Sequence, residues 1–387
     1  MYRVNRQAMA IPAGMLLDEL KQRIAWKRSV LDERDRAHGP DRVRIGSYME
    51  NLALPELFGF DMNDLYSDPR LALETELRHR IFWLDNSPDD GLPNLDLQAT
   101  VGMYYDMTLF GMDVRHDPDG VPQFMRHPIA GKADLSLVPP FDFHRTGVMP
   151  ALLRTHERMS EIARREYGGE LTIGFPNFNR GPLDVYVQLR GYDNFALDTA
   201  ERPQFVHDFF DHAVAERARF RSCRREHLRE PAPENPTTRI DDDWVNVPFI
   251  SPDIFRRFVL PAYRRIQANE GTVVGFHTCG NMAPVAEDLL AELPGIRTLD
   301  VSGWTDFERL DRILAPDIAF WLSFINTFVL AGTRREHLDM LRRIAGLRRR
   351  RQAGLCVQAI VRLHDDFEED LRRVNGFIAL AREICQE

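Results

Sequence analysis

The sequence has few of the features that mark exported, membrane-spanning or nucleic-acid-binding proteins. Its 387 residues include only four cysteines, widely spaced, which excludes a disulfide scaffold. No apolar run reaches the roughly 18 residues of a membrane-spanning helix, and no signal-peptide pattern is present. A net charge of -9 argues against a broad nucleic-acid surface, which needs clustered basic residues. We therefore predict a cytoplasmic protein without nucleic-acid or membrane partners.

The hydrophobic pattern changes near residue 95. Residues 1–95 are charged and follow a helical pattern, whereas residues 96–387 alternate short β-rich runs with amphipathic helical stretches. The candidate strands lie near residues 100–107, 134–139, 171–176, 238–247, 272–279, 298–302, 318–325 and 355–361. Such alternation implies parallel strands with right-handed crossovers. We predict an α/β fold, a single (β/α)8 TIM barrel with a helical N-terminal extension; the alternative, an open doubly wound sheet, lacks its Gly-x-Gly-x-x-Gly signature here.

The most informative stretch is residues 273–281, an apolar run that ends in His277, Thr278 and Cys279 before a Gly-Asn turn. Side chains alternate along a strand, so His277 and Cys279 share one face. An imidazole and a thiol on one face form half of a zinc site. The alternative interpretation is a packed histidine beside a buried cysteine.

Polar residues recur where the candidate strands end. In chain order they are Tyr105, Asp106, Asp142, His144, Asn177, Asn179, Asp241, Asp242, Asp243, His277, Cys279, Asp300, Ser302 and Asn326. Each alone could be a turn former, but the active site of a (β/α)8 barrel lies at the carboxyl ends of its strands. We therefore predict a polar active-site mouth, with Asn177, Asn326 and His144 among its substrate contacts.

Three segments together resemble the uroporphyrinogen decarboxylase superfamily. They are His277-Thr278-Cys279-Gly280-Asn281, Gly181-Pro182-Leu183 leading to Gln188-Leu189-Arg190-Gly191, and Ser251-Pro252 followed by Phe258-Val259-Leu260-Pro261. Within the superfamily, the chain is most similar to methyltransferases that move a methyl group between a corrinoid and a thiol, such as methylcobalamin:coenzyme M methyltransferase. The resemblance implies a barrel in which zinc is held by His277, Cys279 and a cysteine of the last strand, with one position left for the substrate thiol.

Cys356 is the candidate for the second cysteine ligand, because it lies on the last candidate strand. Its position is a difficulty, since it falls near the beginning of that strand whereas the ligand of the family lies at the end. His364 or an acid is one alternative ligand. The other alternative is a protein without a zinc site, in which His277 acts as a general acid or base.

The resemblance implies further roles at the strand ends. Asp241 and Asp242 match an acidic pair of the methyltransferases, which suggests proton handling for Asp241 and a polar substrate contact for Asp242. Asp300 is either a fourth ligand or a carboxylate that orients His277. Asn281 either caps the following helix or holds a substrate carboxylate.

Two other functions stay open. The first is decarboxylation of a tetrapyrrole or a smaller acid, although the Arg-Gln-Ala-Gly-Arg-Tyr segment that grips carboxylates in true uroporphyrinogen decarboxylases is absent. The second is a non-catalytic barrel that binds a corrinoid or its carrier protein. Residues 142–147 fit the Asp-x-His-x-x-Gly pattern of corrinoid-binding modules, but no separate domain surrounds them. A corrinoid would therefore arrive as a free molecule or on a partner protein.

Overall fold

The chain folds as an α/β protein in which parallel strands alternate with helices. A computed structural model describes residues 5–39, 42–48, 54–115, 123–324, 326–347, 353–358 and 366–386. The strands are β1 (Arg44–Tyr48), β2 (Asp96–Gln98), β3 (Val114–Arg115), β4 (Gln123–Phe124), β5 (Thr172–Gly174), β6 (Thr237–Asp241), β7 (Thr272–Thr278), β8 (Thr298–Ser302), β9 (Ala319–Phe324) and β10 (Ala353–Gln358). The helices are α1 (Leu16–His38), α2 (Leu54–Phe58), α3 (Met62–Ser67), α4 (Pro69–Asn86), α5 (Met149–Glu166), α6 (Pro182–Arg190), α7 (Tyr192–Glu201), α8 (Pro203–Leu228), α9 (Pro252–Ile254), α10 (Leu260–Glu270), α11 (Ala286–Glu292), α12 (Phe307–Ile313), α13 (Asn326–Ala331), α14 (Arg334–Leu347) and α15 (Phe367–Gln386).

The main sheet has six parallel strands in the order β1-β10-β9-β8-β7-β6. Strands β2 and β5 form a second parallel pair, and a bridge between Arg180 and Asp241 joins the segment after β5 to β6. In the segment that precedes β2, the Asp90 N–H donates to the Ile45 carbonyl of β1 at 2.6 Å. Within the main sheet, strands β6 to β10 neighbour one another in the order in which they follow along the chain. The predicted α/β class with parallel pairing is confirmed.

The sequence located the later strands better than the earlier ones. Strands β5, β7, β8 and β9 lie within the predicted runs, and β6 and β10 overlap theirs but begin one and two residues earlier. The predicted strands at 100–107 and 134–139 are wrong, because these segments contain turns and short 3-10 helices, Met107–Phe110 and Leu135–Leu137. In both, an aspartate carboxylate accepts a backbone N–H at the start of the helix, Asp106 from Met107 and Asp134 from Ser136, which competes with strand pairing.

Strands β1 to β4 were not predicted. Strand β1 lies N-terminal to the predicted division at residue 95, so residues 1–95 are not helical throughout. The division of the chain itself stays a prediction. In the last helix, α15, an apolar stripe is buried, with Leu371, Val374, Ile378, Ala381 and Cys385 in the core. No helix in the described ranges combines the length and the apolar character needed to cross a membrane.

A buried carboxylate joins four elements at the carboxyl end of β6. Asp242 is fully buried, and its own N–H donates to the His277 carbonyl of β7 at 2.9 Å. Its carboxylate accepts the backbone N–H groups of Leu183 and Asp184, in the first turn of α6, at 3.2 and 2.9 Å. The hydroxyl of Tyr263 in α10 donates to the same carboxylate at 2.8 Å. Burial raises the pKa of Asp242, and because a buried polar group without partners is costly, these donors stabilise its side chain and hold the strand ends and helices together.

Gly181 should not tolerate a side chain, because a Cβ at this position would lie 2.1 Å from Asp242 Oδ2. We expect Gly181→Ala to lower the free energy of unfolding by about 1–3 kcal/mol through this overpacking. Gly376→Ala is the matched control, since Gly376 lies in α15 with no atom within 4 Å of a built Cβ, and there alanine should be neutral or stabilise the helix. Urea unfolding of both variants checks this; equal stabilities would contradict it.

Candidate metal centre

The candidate site begins with a row of residues at the carboxyl ends of three neighbouring strands. The sheet register aligns Asp241 of β6 with His277 of β7, and His277 with Asp300 of β8. Paired residues of parallel strands project to the same face, which brings these side chains together. Arg239 lies behind the row, with Nε 2.5 Å from Asp241 and one terminal nitrogen 3.6 Å from Asp300. The predicted grouping of strand ends is therefore present in the fold.

The two ring nitrogens of His277 face different groups. Nε2 lies 3.3 Å from Asp243 Oδ1 and 3.5 Å from Cys279 Sγ. Nδ1 lies 3.0 Å from Asp300 Oδ2, within ion-pair distance but without hydrogen-bond alignment, and it is buried. Ser323 of β9 donates its hydroxyl to the other oxygen of Asp300 at 2.6 Å. His277 is thus held on one side by Asp300 and faces an acid and a thiol on the other.

The electrostatics of this cluster favour a cation at its centre. Burial alone would lower the pKa of His277, but the contacts with Asp243, Asp300 and Cys279, together with the negative charge of Asp300, raise it to about 12. Burial alone would raise the pKa of Asp243 and of Asp300, but the contact with His277 lowers both pKa values. Burial also raises the pKa of the Cys279 thiol, which keeps it protonated at neutral pH when no metal is bound. The proton on His277 then neutralises part of the surrounding negative charge.

A cavity of about 290 Å³ lies next to His277. It is lined by Met103, Tyr105, Asp106, Asn177, Asn179, Arg180, Asp184, Asp241, Asp243 and His277. Arg180 is already engaged, with its guanidinium 3.0 Å from Asp106 and 2.5 Å from Asp184. Burial raises the pKa of Asp184 to about 6, even though Arg180 opposes this. The wall is therefore rich in carboxylates, and its arginine is committed to two of them.

The donor atoms of the cluster fit zinc. Within the described residues, Asp243, His277 and Cys279 each offer one ligand atom, and these atoms all lie within 4.8 Å of one another. Imidazole, thiolate and carboxylate are the groups that bind Zn²⁺ in proteins. Asp300 and Ser323 supply the hydrogen-bonded support on the far side of the imidazole that zinc-bound histidines usually have. Without metal, the same cluster has the components for proton transfer by His277.

The predicted site residues separate into two groups. His277, Cys279, Asp241 and Asp300 lie in the cluster, and Asn177 lies in the wall of the cavity. Asp242 does not reach the cavity, because its carboxylate is buried and bonded to backbone and Tyr263; its predicted substrate contact is therefore not supported.

Two other predicted substrate contacts lie apart from the cavity wall. His144 is exposed in the turn before α5, where its N–H donates to Asp142, so a turn role is favoured. The Asn281 side chain accepts the Ala283 N–H at 3.3 Å, which favours its alternative role at the start of the following helix.

Three predicted positions cannot be compared with the site at the level of side chains. The side chains of Asn326 and Cys356, and all of His364, lie outside the described residues. The backbone register is described for β10, where Cys356 pairs with Ser323 of β9 and with Gly46 of β1. The role of Cys356 as a ligand stays a prediction.

The structure adds residues that the sequence analysis did not assign. Asp243 was noted only as a strand-end acid, yet it faces His277 Nε2. Arg180 and Asp184 also line the cavity. A signal for Arg180 existed, since it follows Asn179 directly at the end of the third predicted strand. No local pattern marks Asp184, which reaches the cavity from the first turn of α6.

Comparisons with known proteins agree with this description. The model of the uroporphyrinogen decarboxylase (URO-D) family matches residues 99–319. Among solved structures, a methyltransferase from Methanosarcina mazei is similar with a TM-score of 0.60 and 15% sequence identity, over 88% of this chain and 94% of that one. This likeness concerns the fold. A comparison with curated proteins gave no match.

Proposed function

The chain belongs to the uroporphyrinogen decarboxylase family, and from this premise we propose that it is a zinc-dependent methyltransferase that transfers a methyl group between a corrinoid and a thiol acceptor. One observation carries the proposal. It is the cluster of Asp243, His277 and Cys279 at the strand ends, beside a cavity of about 290 Å³. An open coordination position facing a cavity is what a catalytic zinc site needs.

The proposal includes a closed (β/α)8 barrel. Two contacts support closure beyond the six-stranded sheet, the backbone bridge of Arg180 to Asp241 and the hydrogen bond from Asp90 to Ile45. In a barrel the carboxyl ends of all strands surround one mouth, where active sites of this fold lie. Such closure would bring the loops after β2 and β5, which contribute Tyr105 and Asn177, opposite His277.

The residues present would hold zinc through His277 and Cys279, with Cys356 as the further ligand that the family resemblance implies. When bound, the zinc would lower the pKa of the acceptor thiol, so that a thiolate is available at neutral pH. Asp300 orients the imidazole, and Ser323 fixes Asp300 through its 2.6 Å hydrogen bond.

Asp241 has the position for proton handling, because it lines the cavity one strand away from His277. In the transfer, the sulfur electron pair forms the new bond to the methyl carbon. The donor keeps the electron pair of the broken bond, and Asp241 takes the thiol proton. The methyl donor is a corrinoid, delivered free or on a partner protein.

The charge of the cavity argues against the decarboxylase alternative. A tetrapyrrole with several carboxylates needs matched guanidinium donors, whereas Arg180 is bound to Asp106 and Asp184. A smaller acid would meet the same carboxylate-rich wall. The non-catalytic alternative makes no use of the cluster around His277, and an assay for methyl transfer separates it from the proposal.

Zinc and activity should be lost together when the cluster is broken. We expect about one zinc per chain in the purified protein, and loss of both zinc and methylation of a thiol by methylcobalamin in His277→Ala and Cys279→Ala. Cys223→Ala is the control, because Cys223 is a half-buried residue of α8 and should keep both. Elemental analysis and product detection check this. Full activity in a metal-free protein would contradict the proposal.

The acid-rich wall should select acceptors by charge. Among small thiols that differ only in one terminal group, we expect kcat/KM to be highest for an ammonium, intermediate for a hydroxyl and lowest for a sulfonate. Ammonium and sulfonate should differ by at least about tenfold, or roughly 1.4 kcal/mol. Asp184→Asn should narrow the difference, because it removes one carboxylate from the wall. A preference for the sulfonate would show that the carboxylates do not set acceptor choice.

A further inference from the structure

We infer that a buried group of cations beside β1 binds a small divalent oxyanion of the sulfate or phosphate type. The group, called the basic cluster below, combines side chains of α1 and α15 with the residues that precede β1 and β2. Its members are Lys27, Arg34, Arg42, Arg382 and the carboxylates of Asp89 and Asp90. None of these residues lines the cavity beside His277, so the inference is independent of the zinc and of the proposed reaction.

The two carboxylates of the basic cluster are fixed along one edge of β1. The Asp90 carboxylate accepts the Ile45 N–H at 3.0 Å, next to the backbone hydrogen bond from Asp90 to Ile45. Asp89 accepts the backbone N–H and the hydroxyl of Ser47 at 2.8 and 2.6 Å. The cations are therefore arranged around negative charges that the backbone of β1 holds in place.

The cations of the cluster outnumber its carboxylates. Three guanidinium groups contact the carboxylate of Asp90, at 2.9, 2.6 and 3.7 Å, from Arg34, Arg42 and Arg382. The ammonium of Lys27 lies 3.5 Å from Asp89. Arg42 has a second carboxylate partner, Asp35, but Arg44 contacts the same carboxylate at 2.9 Å and offsets its charge. Within the described residues, the cluster therefore has an excess of two positive charges.

Two guanidinium groups of the cluster keep buried donors that have no partner in the described part of the chain. These donors are Nη2 of Arg42, whose side chain is 1% exposed, and Nε of Arg382. Lys27 is also buried, and its ammonium lies at the long distances of 3.3 Å from the Ser87 carbonyl and 3.5 Å from Asp89. Because a buried donor without an acceptor is costly, these groups favour a ligand that accepts hydrogen bonds.

The charge excess favours an anion over water as that ligand. Burial lowers the pKa of Lys27, and the charge of Arg34 lowers it further, although Asp89 opposes both. Burial also lowers the pKa of Arg382, with contributions from Arg34 and Arg42. Water would satisfy the donors but would leave the charge uncompensated. A divalent oxyanion matches an excess of two charges, and guanidinium groups donate paired hydrogen bonds to such oxygens.

The cluster can be reached from solvent on one side. The side chains of Arg34 and Arg382 are 22% and 25% exposed, whereas those of Lys27 and Arg42 are almost fully buried. An anion that enters past Arg34 and Arg382 would contact α1, α15 and the residue before β1 together. Because these elements are distant in sequence, the bound anion would stabilise the folded chain and not the unfolded one.

Urea unfolding of the full-length protein tests the inference. Sodium phosphate and sodium sulfate are titrated against sodium chloride at constant ionic strength, which keeps general screening equal in all samples. A ligand that binds only the folded protein raises the folding equilibrium constant about 100-fold at 100 times its Kd. We expect phosphate and sulfate to produce such a saturating rise. Salting-out by these ions continues to grow with concentration and does not saturate.

Variants locate the anion within the protein. Arg382→Gln and Lys27→Met each remove one cation of the cluster and should lower the affinity for phosphate roughly tenfold or more. Arg28→Gln is the matched control, because Arg28 is an exposed residue of α1 that follows Lys27, and it should keep the wild-type affinity.

Lys27→Met also tests the charge excess without any added ligand. If two positive charges are uncompensated, the loss of one should leave the anion-free protein at least as stable as the wild type. In a balanced cluster the same change would lower the stability, because Asp89 would lose its cation.

Three results would overturn the inference. The first is the absence of a saturating effect of phosphate and sulfate on the wild type. The second is equal stabilisation of the wild type, Arg382→Gln and Lys27→Met, because the anion would then bind elsewhere. The third is an anion-free Lys27→Met protein that is less stable than the wild type. None of these results depends on methyl transfer.

Discussion

The site depends on the burial of one carboxylate, that of Asp242. Its side chain accepts hydrogen bonds from the first turn of α6 and from Tyr263, and its backbone N–H donates to the His277 carbonyl, which together fix the end of β6 against β7. The next residue, Asp243, is thereby held beside the imidazole of His277, and Asp184 of α6 is held in the cavity wall. A buried group outside the cavity lining thus positions two of the acids that line the cavity. Gly181 leaves the space that this carboxylate occupies.

In the proposed zinc centre, a metal ion would take the place of protons. In the metal-free protein, His277 carries a proton between Asp243 and Asp300, and Cys279 keeps its own. Exchange of these two protons for one Zn²⁺ would leave the net charge of the cluster unchanged. Zinc binding at such a site releases protons and is favoured as the pH rises. If the proposed function holds, the carboxylate-rich wall would favour neutral or cationic acceptors over anionic ones.

The sequence was sufficient where the physical rule is local. Alternation along β7 predicts that His277 and Cys279 share a face, and the order of strands predicts that Asp300 lies next to them. The sequence was insufficient where contacts between distant parts of the chain determine the role of a residue. Asp241, Asp242 and Asp243 are consecutive residues of the same type, and only their contacts in the folded protein distinguish them. The strand predicted at 100–107 failed because the Asp106 side chain accepts a backbone N–H and favours a turn, yet Tyr105 and Asp106 still reach the cavity.

X-ray absorption at the zinc edge tests most directly the claim that this centre activates a thiol. The zinc-loaded protein is measured before and after addition of an acceptor thiol. The account predicts a first shell of nitrogen or oxygen and sulfur neighbours that gains one sulfur at about 2.3 Å when the thiol binds. An unchanged first shell with saturating thiol, in a protein that still methylates it, would contradict the account.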